Sequence, residues 1–199
     1  MNVVFNLPWP WGGERFELKD IRPLNYIIGP PGSGKTRLAK RIAETLPDAL
    51  FLGLDRFTEG GATVRVADAA LKSRVDQALS RLVKEGATAS TALLTLLDEL
   101  QAERQSILVI DMLEHGLDRA TQEALRGYLH CRGPGARPLF ILTRSSAILK
   151  LQSVGSNETI ILCPANHSPP SSVVPQPGAP GYEAVATCLA SPEVRERSI

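Results

Sequence analysis

The sequence predicts an α/β protein with a mostly parallel sheet, helices on both faces of that sheet and an N-terminal antiparallel β-hairpin. Short apolar runs bounded by turn residues alternate along the chain with segments of helical periodicity, the pattern typical of parallel sheets covered by helices. The length of 199 residues suits one domain with a full core. Hydrophobic residues at 43% and charged residues at 22% indicate that most of the chain folds.

Each element follows from its own local pattern. Two short apolar runs on either side of Gly12 and Gly13 predict the hairpin. Continuous apolar runs predict buried strands at residues 24–28, 49–54, 106–110, 139–143 and 159–162. Apolar residues at helical spacing predict helices at residues 35–46, 63–100 with a break at Gly86, 117–129, 145–151 and 182–190.

Residues 164–181 differ from the rest because six of these 18 residues are proline. We expect no regular element there but an extended segment on the surface, which either docks a partner or covers a sheet edge. Ser191, Pro192 and Glu193 form a helix-start signal close to the end of the sequence.

The bulk properties exclude little. The formal net charge of +1 and the lack of a lysine or arginine block argue neither for nor against nucleic acid. No apolar run approaches the ~18 residues of a membrane span, and the three cysteines are isolated, as expected of free thiols. We therefore expect a cytoplasmic protein.

The phosphate-binding loop, or Walker A motif, is the strongest motif in the sequence. Residues 29–36 match GxxxxGK[ST] between a predicted strand and a predicted helix, which is the context that the motif requires. The loop glycines allow backbone amides to turn towards phosphates, and Lys35 adds a charge for the β- and γ-phosphates. The motif predicts ATP as ligand. The expected nucleotide-binding residues are Gly29, Pro30, Pro31, Gly32, Ser33, Gly34, Lys35, Thr36 and Arg37.

A second motif predicts a Mg²⁺ site. Four apolar residues, 107–110, lead directly to Asp111, which is the Walker B arrangement. A carboxylate at the carboxyl end of that strand lies beside the phosphate loop, where it can hold Mg²⁺ together with the Thr36 hydroxyl.

The residues after Asp111 carry a resemblance. Residues 111–118 (DMLEHGLD) resemble the Walker B and D-loop of ABC-type ATPases, closest to the AAA_21-like and overcoming-lysogenization-defect ATPases, and residues 139–149 resemble their switch strand. The resemblance implies a P-loop NTPase domain over residues 1–162, with a reduced helical part at about 63–102. Residues 163–199 would form a proline-rich segment with a short helix packed on the same domain.

This chain departs from the family at its catalytic positions. Met112 occupies the position of the catalytic glutamate, and Arg144 replaces the switch histidine that contacts the γ-phosphate. The signature sequence is degenerate at residues 85–90, and Gln77 is the candidate for the Q-loop glutamine.

Two interpretations of hydrolysis stay open. In the first, Glu114 acts as a displaced general base and Arg144 stabilises charge in the transition state, so that Lys35, Glu114 and Arg144 are the catalytic residues. In the second, the site binds ATP and hydrolyses it poorly, and the nucleotide serves as a switch or holds a dimer together. His115 is interpreted as a loop residue.

Aromatic residues near the N-terminus are candidates for stacking on adenine, as an aromatic residue does in the family that the chain resembles. Phe5 and Phe16 are better explained by core packing. Trp9 and Trp11 lie in a Pro/Gly-rich loop and are the stronger candidates.

Three functions are compatible with these motifs. The resemblance implies an ATPase that dimerises or gates a partner protein, in nucleic-acid transactions or bacterial defence. A small-molecule or nucleotide kinase is the second, although Arg126, Arg132, Arg137 and Arg144 are scattered and do not form an arginine-rich lid. The third is an interaction module that binds nucleotide without turnover.

Overall fold

A computed structural model describes residues 2–57, 68–102, 105–133 and 135–190. Within these residues the strands are β1 (Val3–Asn6), β2 (Arg15–Leu18), β3 (Leu24–Ile28), β4 (Ala49–Leu52), β5 (Ile107–Ile110), β6 (Leu139–Leu142), β7 (Glu158–Leu162) and β8 (Ser171–Ser172). The α-helices are α1 (Lys35–Thr45), α2 (Ala69–Lys84), α3 (Thr91–Gln101), α4 (Arg119–His130) and α5 (Tyr182–Leu189). Two 3₁₀ helices cover Leu54–Phe57 and Leu151–Ser153.

The main sheet has the strand order β4-β5-β6-β3-β7-β8. The first five strands of that order are parallel, and β8 pairs antiparallel with β7 at one edge. Strands β1 and β2 form a separate antiparallel hairpin in which Phe5 lies opposite Phe16. The fold is therefore the predicted one, a P-loop α/β fold with a mostly parallel sheet and an N-terminal hairpin.

Alternate residues of the central strands enter two separate apolar cores. In β5, Leu108 and Ile110 face the helices α2 to α5, whereas Ile107 and Val109 face α1 and the hairpin. The period of two in a strand explains this division, and its burial on both sides explains why the strand is apolar throughout. The prediction of helices on both faces is confirmed.

Strand order decides which loops meet. Parallel strands place their carboxyl ends on one edge, so the segments that follow β3, β5 and β6 emerge side by side. Strand β6 lies between β3 and β5, and the phosphate loop after β3 is separated from Asp111 after β5 by one strand.

The predicted helix at residues 145–151 is wrong. The chain makes one turn, in which the Leu149 amide donates to the Ser145 carbonyl at 3.0 Å, and then becomes extended at Lys150. The Ser145 hydroxyl accepts the Ala147 amide at 3.1 Å, a local side-chain bond that favours a turn over a continuing helix.

The proline-rich segment also differs from expectation, because Ser171 and Ser172 pair with β7 as β8. No proline lies between Pro170 and Pro175, so these residues keep the amides that a ladder needs. The segment thus covers a sheet edge, which was one of the two predicted alternatives.

Several predictions fall partly outside the described residues. The first part of the predicted 63–102 helical region is not described, and α2 begins at Ala69 with Asp68 as its cap. Helix α5 lies where a closing helix was predicted, whereas the helix-start signal at Ser191 lies outside the described residues. None of the described helices has the length and apolar character needed to cross a membrane.

Candidate nucleotide-binding site

The phosphate loop connects β3 to α1, and two of its glycines are required by close contacts. A Cβ added to Gly29 would lie 2.4 Å from the carbonyl oxygen of Cys163, at the end of neighbouring β7. Gly34 has φ +90° and precedes α1 without a side-chain cap. The first amides of α1 are therefore available to an anion, as at other helix N-termini that bind phosphate.

Lys35 bends back over the loop. Its Nζ donates to the carbonyl oxygen of Pro30 at 2.7 Å, and the side chain is half-buried. Burial lowers the pKa of Lys35, and the positive charge of Arg144 also lowers it. Both causes penalise the charged form, so an anion bound in the loop would relieve them.

Ser33 provides an independent indication of a ligand. The residue is 1% exposed, and its hydroxyl oxygen lacks a hydrogen-bond partner among the described residues. A buried hydroxyl without a partner is unfavourable by roughly 1–3 kcal/mol. A phosphate oxygen in the loop would satisfy it.

The two residues predicted to hold Mg²⁺ are in direct contact. The Thr36 hydroxyl donates to Oδ2 of Asp111 at 3.0 Å, across the end of β6, and Asp111 is 8% exposed. Hydroxyl and carboxylate oxygens are suitable ligands for this hard cation. The described residues contain no cluster of three or more His, Cys, Asp or Glu side chains that could hold a metal. Water and phosphate oxygens would therefore supply the other ligands, which is usual for Mg²⁺.

Glu114 is fixed to the end of β6. Its Oε1 accepts the main-chain amide of Arg144 at 2.8 Å, and its Oε2 is buried without a hydrogen bond to any described residue. Met112, between Asp111 and Glu114, has φ +49°, a conformation uncommon for a residue with a side chain. The structure thus brings Glu114 and Arg144 together at the carboxyl end of β6. This strand is the direct neighbour of β3, which leads into the phosphate loop.

Arg56 is a site residue that sequence reasoning missed. It is 8% exposed in the 3₁₀ helix after β4, and its guanidinium donates to the carbonyl oxygens of Asp111 and Met112 at 2.8 and 2.9 Å. Its segment, LDRF, matches no motif, so the only available signal is an arginine shortly after a buried strand.

The two tryptophans of the N-terminal loop differ in environment. Trp11 is 3% exposed, packs on Gly34 and donates its indole N–H to the Ser168 carbonyl at 3.0 Å, so its candidacy for adenine stacking is wrong. Trp9 is 69% exposed, with the Arg37 guanidinium 4.5 Å from its ring centre. A cavity of about 330 Å³ is lined by Trp9, Gly32, Gly34, Lys35, Thr36 and Arg37. Trp9 alone of the pair can meet a ligand there.

The other aromatic candidates belong to the hairpin. Phe5 is 5% exposed and its ring centre lies 5.6 Å from that of Phe16, at an angle of 59°. This agrees with the prediction that both residues serve packing.

The proline-rich segment reaches the phosphate loop. The His167 Nε2 lies 3.2 Å from the carbonyl oxygen of Gly32, and the Ser168 carbonyl accepts the Trp11 indole. This proximity was not predicted, because it joins residues more than a hundred positions apart.

Other candidates have structural partners. Gln77 lies on α2 and donates to the Ser73 hydroxyl at 3.3 Å, and Ser90 caps α3 through the Leu93 amide at 3.2 Å. Arg132 donates to the Arg137 carbonyl at 3.0 Å. Because Arg137 lies two residues before β6, Arg132 and Arg137 lie at the amino ends of the strands, opposite the phosphate loop.

Comparison with known proteins agrees with this fold. The family model AAA_22, described as an AAA domain, matches residues 21–142. Among solved structures, cbiO1 from Clostridium perfringens, described as part of the ABC transporter complex cbiONQ, superposes with a TM-score of 0.51. The superposition covers 81% of this chain and 83% of that chain at 15% identity, so it is evidence of shared fold. No curated protein matches the chain.

Proposed function

Because the chain belongs to the AAA domain family and is a P-loop NTPase of the ABC/AAA type, we propose that it binds ATP with Mg²⁺ and hydrolyses it. The observation that carries this proposal is the contact between Thr36 and Asp111 beside the half-buried ammonium of Lys35. A loop that binds phosphates and a pair of oxygen ligands meet at one place, as phosphoryl-transfer sites require.

The loop would hold the triphosphate through three kinds of donor. The uncapped amides of α1 and the Lys35 ammonium provide positive potential, and the Ser33 hydroxyl gains the partner that it lacks. Lys35 would exchange its bond to the Pro30 carbonyl for a phosphate oxygen, which compensates the burial of its charge.

Thr36, the last residue of the loop, and Asp111 would together hold Mg²⁺. When bound, Mg²⁺ neutralises charge on the phosphates and polarises the phosphoryl group. Thr36 lies in the first turn of α1, and Asp111 directly follows a buried strand, so neither ligand has to reorganise much on binding.

Glu114 would accept the proton of the attacking water. Its Oε1 is occupied by the Arg144 amide, whereas its buried Oε2 has no bond to a described residue and is the oxygen able to accept. Met112 cannot take this role, because a thioether does not accept a proton at neutral pH. The Arg144 guanidinium is close enough to Lys35 to lower its pKa, and it would add positive charge where phosphate charge develops.

The nucleotide cycle would regulate assembly with a second copy or with a partner protein. Support comes from the solved structure of similar fold, which is described as part of a complex. The exposed loop residues His115, Gly116 and Asp118, which follow Asp111, provide a surface beside the nucleotide that a partner could contact.

The test measures nucleotide binding, phosphate release and oligomer size in one preparation of the full chain with ATP and Mg²⁺. Lys35→Ala should weaken ATP binding about tenfold or more, because a charge-assisted bond contributes roughly 1.5–3 kcal/mol. Lys40→Ala is the matched control, since Lys40 is exposed on the same helix.

A Lys35→Ala variant that binds ATP as tightly as the wild type does would contradict the proposal. Tight binding without phosphate release would reject hydrolysis and favour an interaction module. ATP consumption that requires a small acceptor would favour a kinase.

A further inference from the structure

Arg56 lies where two parallel strands of the main sheet end. Strand β4 pairs with β5 up to Leu52 opposite Ile110, and the Asp111 amide makes one more bond to the Leu52 carbonyl at 2.9 Å. Beyond that point the ladder stops. Arg56 is the fourth residue after β4 and turns its guanidinium back over both strand ends.

The guanidinium binds four main-chain carbonyl oxygens. Its Nη1 donates to Leu52 at 3.3 Å, to Gly53 at 2.8 Å and to Asp111 at 2.8 Å, and its Nη2 donates to Met112 at 2.9 Å. Two acceptors, Leu52 and Gly53, lie at the carboxyl end of β4, and the other two directly follow β5. Arg56 therefore ties the Walker B segment to its neighbouring strand at the residue that carries the carboxylate.

A buried arginine in this position needs compensation, because burial disfavours its charge and lowers its pKa. The carboxylates of Asp111, Asp55 and Glu114 act in the opposite direction and favour the charged form. The cation is thus held by carbonyl dipoles and by nearby carboxylates, two of which, Asp111 and Glu114, belong to the candidate site.

We propose that Arg56 is a positioning residue for Mg²⁺, which holds the main chain of Asp111 and Met112 so that the Asp111 carboxylate faces Thr36. This inference rests on the proposed function. The 3.0 Å contact between Asp111 and Thr36 depends on where the main chain of Asp111 lies, and Arg56 binds that main chain directly. It also binds the carbonyl of Met112, whose φ of +49° is unfavourable for an unrestrained residue. Residues that orient metal ligands contribute to metal affinity without touching the metal.

A residue that only stabilised the fold would affect ATP binding equally with and without Mg²⁺. The two roles are therefore separated by the ratio of ATP affinities measured in excess Mg²⁺ and in excess EDTA, here called the Mg²⁺ enhancement. A fluorescent ATP analogue and the full chain suffice, and no turnover is needed.

Arg56→Lys keeps the charge but loses the planar fork, and Arg56→Met removes both. We expect the affinity in EDTA to stay close to that of the wild type and the Mg²⁺ enhancement to fall about tenfold in the Met variant, less in the Lys variant. Thermal unfolding identifies a variant that does not fold. If Arg56→Met does not fold, the milder change Arg56→Lys still tests the inference.

Arg137→Lys is the matched control. Arg137 also binds main-chain carbonyls, those of Gln105, Glu99 and Leu100, but at the amino ends of the strands. This variant should keep the Mg²⁺ enhancement of the wild type.

Three outcomes would overturn the inference. Arg56 variants with an undiminished enhancement would show a structural role only, as would an equal loss of affinity in Mg²⁺ and in EDTA. A wild type that binds ATP equally with and without Mg²⁺ would reject the inference while ATP binding stands. A wild type that binds no ATP would reject the proposed function itself.

Discussion

The indole of Trp11 packs directly on Gly34 of the phosphate loop, so that a Cβ added to Gly34 would lie 2.7 Å from the ring. The same ring is held from the other end of the sequence by the Ser168 carbonyl. The N-terminal loop and the proline-rich segment therefore both support the phosphate loop from outside, and the loop's shape depends on these two distant parts of the chain.

Gly34→Ala should destabilise the protein more than Gly32→Ala. Both glycines have positive φ, at +90° and +77°, but the space beside Gly32 is open. We expect Gly32→Ala to lower the free energy of unfolding by about 1 kcal/mol from backbone strain alone. Gly34→Ala adds a clash with Trp11 and should cost about 2–4 kcal/mol in total. Urea unfolding without nucleotide measures the free energy of unfolding of both variants. Equal losses of stability in the two variants would contradict the packing of Trp11 on Gly34.

Trp9→Ala should weaken ATP binding about tenfold, since stacking on a base contributes roughly 1–3 kcal/mol. Trp9 is exposed beside the loop, and nucleotide binding should change its fluorescence. The protein has two tryptophans, so Trp9→Phe should abolish that change and Trp11→Phe should preserve it. A signal that survives in Trp9→Phe would place the base elsewhere.

Glu114→Gln should lower the rate of phosphate release about 100-fold, because the amide cannot accept a proton from water. Its carbonyl oxygen can still accept the Arg144 amide, so ATP affinity and the melting temperature should remain near those of the wild type. Glu123→Gln, on the exposed face of α4, is the control. Unchanged phosphate release, or a wild type without turnover, would exclude Glu114 as the base.

Lys35→Met should raise the free energy of unfolding of the protein without nucleotide at neutral pH. Burial lowers the pKa of Lys35 below 10.5, so the charged form is less favourable in the folded than in the unfolded chain. This loss of stability is fully present below the pKa that Lys35 has in the folded protein. It disappears as the pH rises from that pKa to 10.5, the ordinary pKa of lysine. The difference in free energy of unfolding between the variant and the wild type should therefore be smaller in alkaline buffer than at neutral pH. Urea unfolding at the two pH values measures this difference. Exposed Lys40→Met should show no such trend, and a less stable Lys35→Met would contradict the expectation.

Local elements were predictable because their signals are local. The apolar run that ends in Gly29 predicts a strand followed by the phosphate loop, and the run before Asp111 predicts the second strand. The contact between Thr36 and Asp111 follows from these two motifs together. Among the described residues, the helix predicted at residues 145–151 failed, because a serine side-chain bond and an extended residue replaced the helical pattern. The expectation of no regular element at residues 164–181 failed as well, because Ser171 and Ser172 pair with β7.

Long-range relations were not predictable in the same way. The carbonyl oxygens that accept from Arg56 lie at the ends of two strands that are far apart in sequence. No sequence pattern around Arg56 predicts these contacts. Trp11 lies in a Pro/Gly-rich loop, which suggests exposure, but the start of α1 and the distant Ser168 bury it. Such relations depend on the strand order, which one sequence does not specify.

The pairing of β3 has a consequence for how the protein is made. Strand β3 is synthesised before both of its neighbours in the sheet, β6 and β7, which are the sixth and seventh strands in chain order. A nascent chain on the ribosome therefore carries its phosphate loop on a strand without its two neighbours until residues 139–162 have been synthesised. Chaperone capture of that apolar strand, and late acquisition of nucleotide binding, are the expected features of its biogenesis.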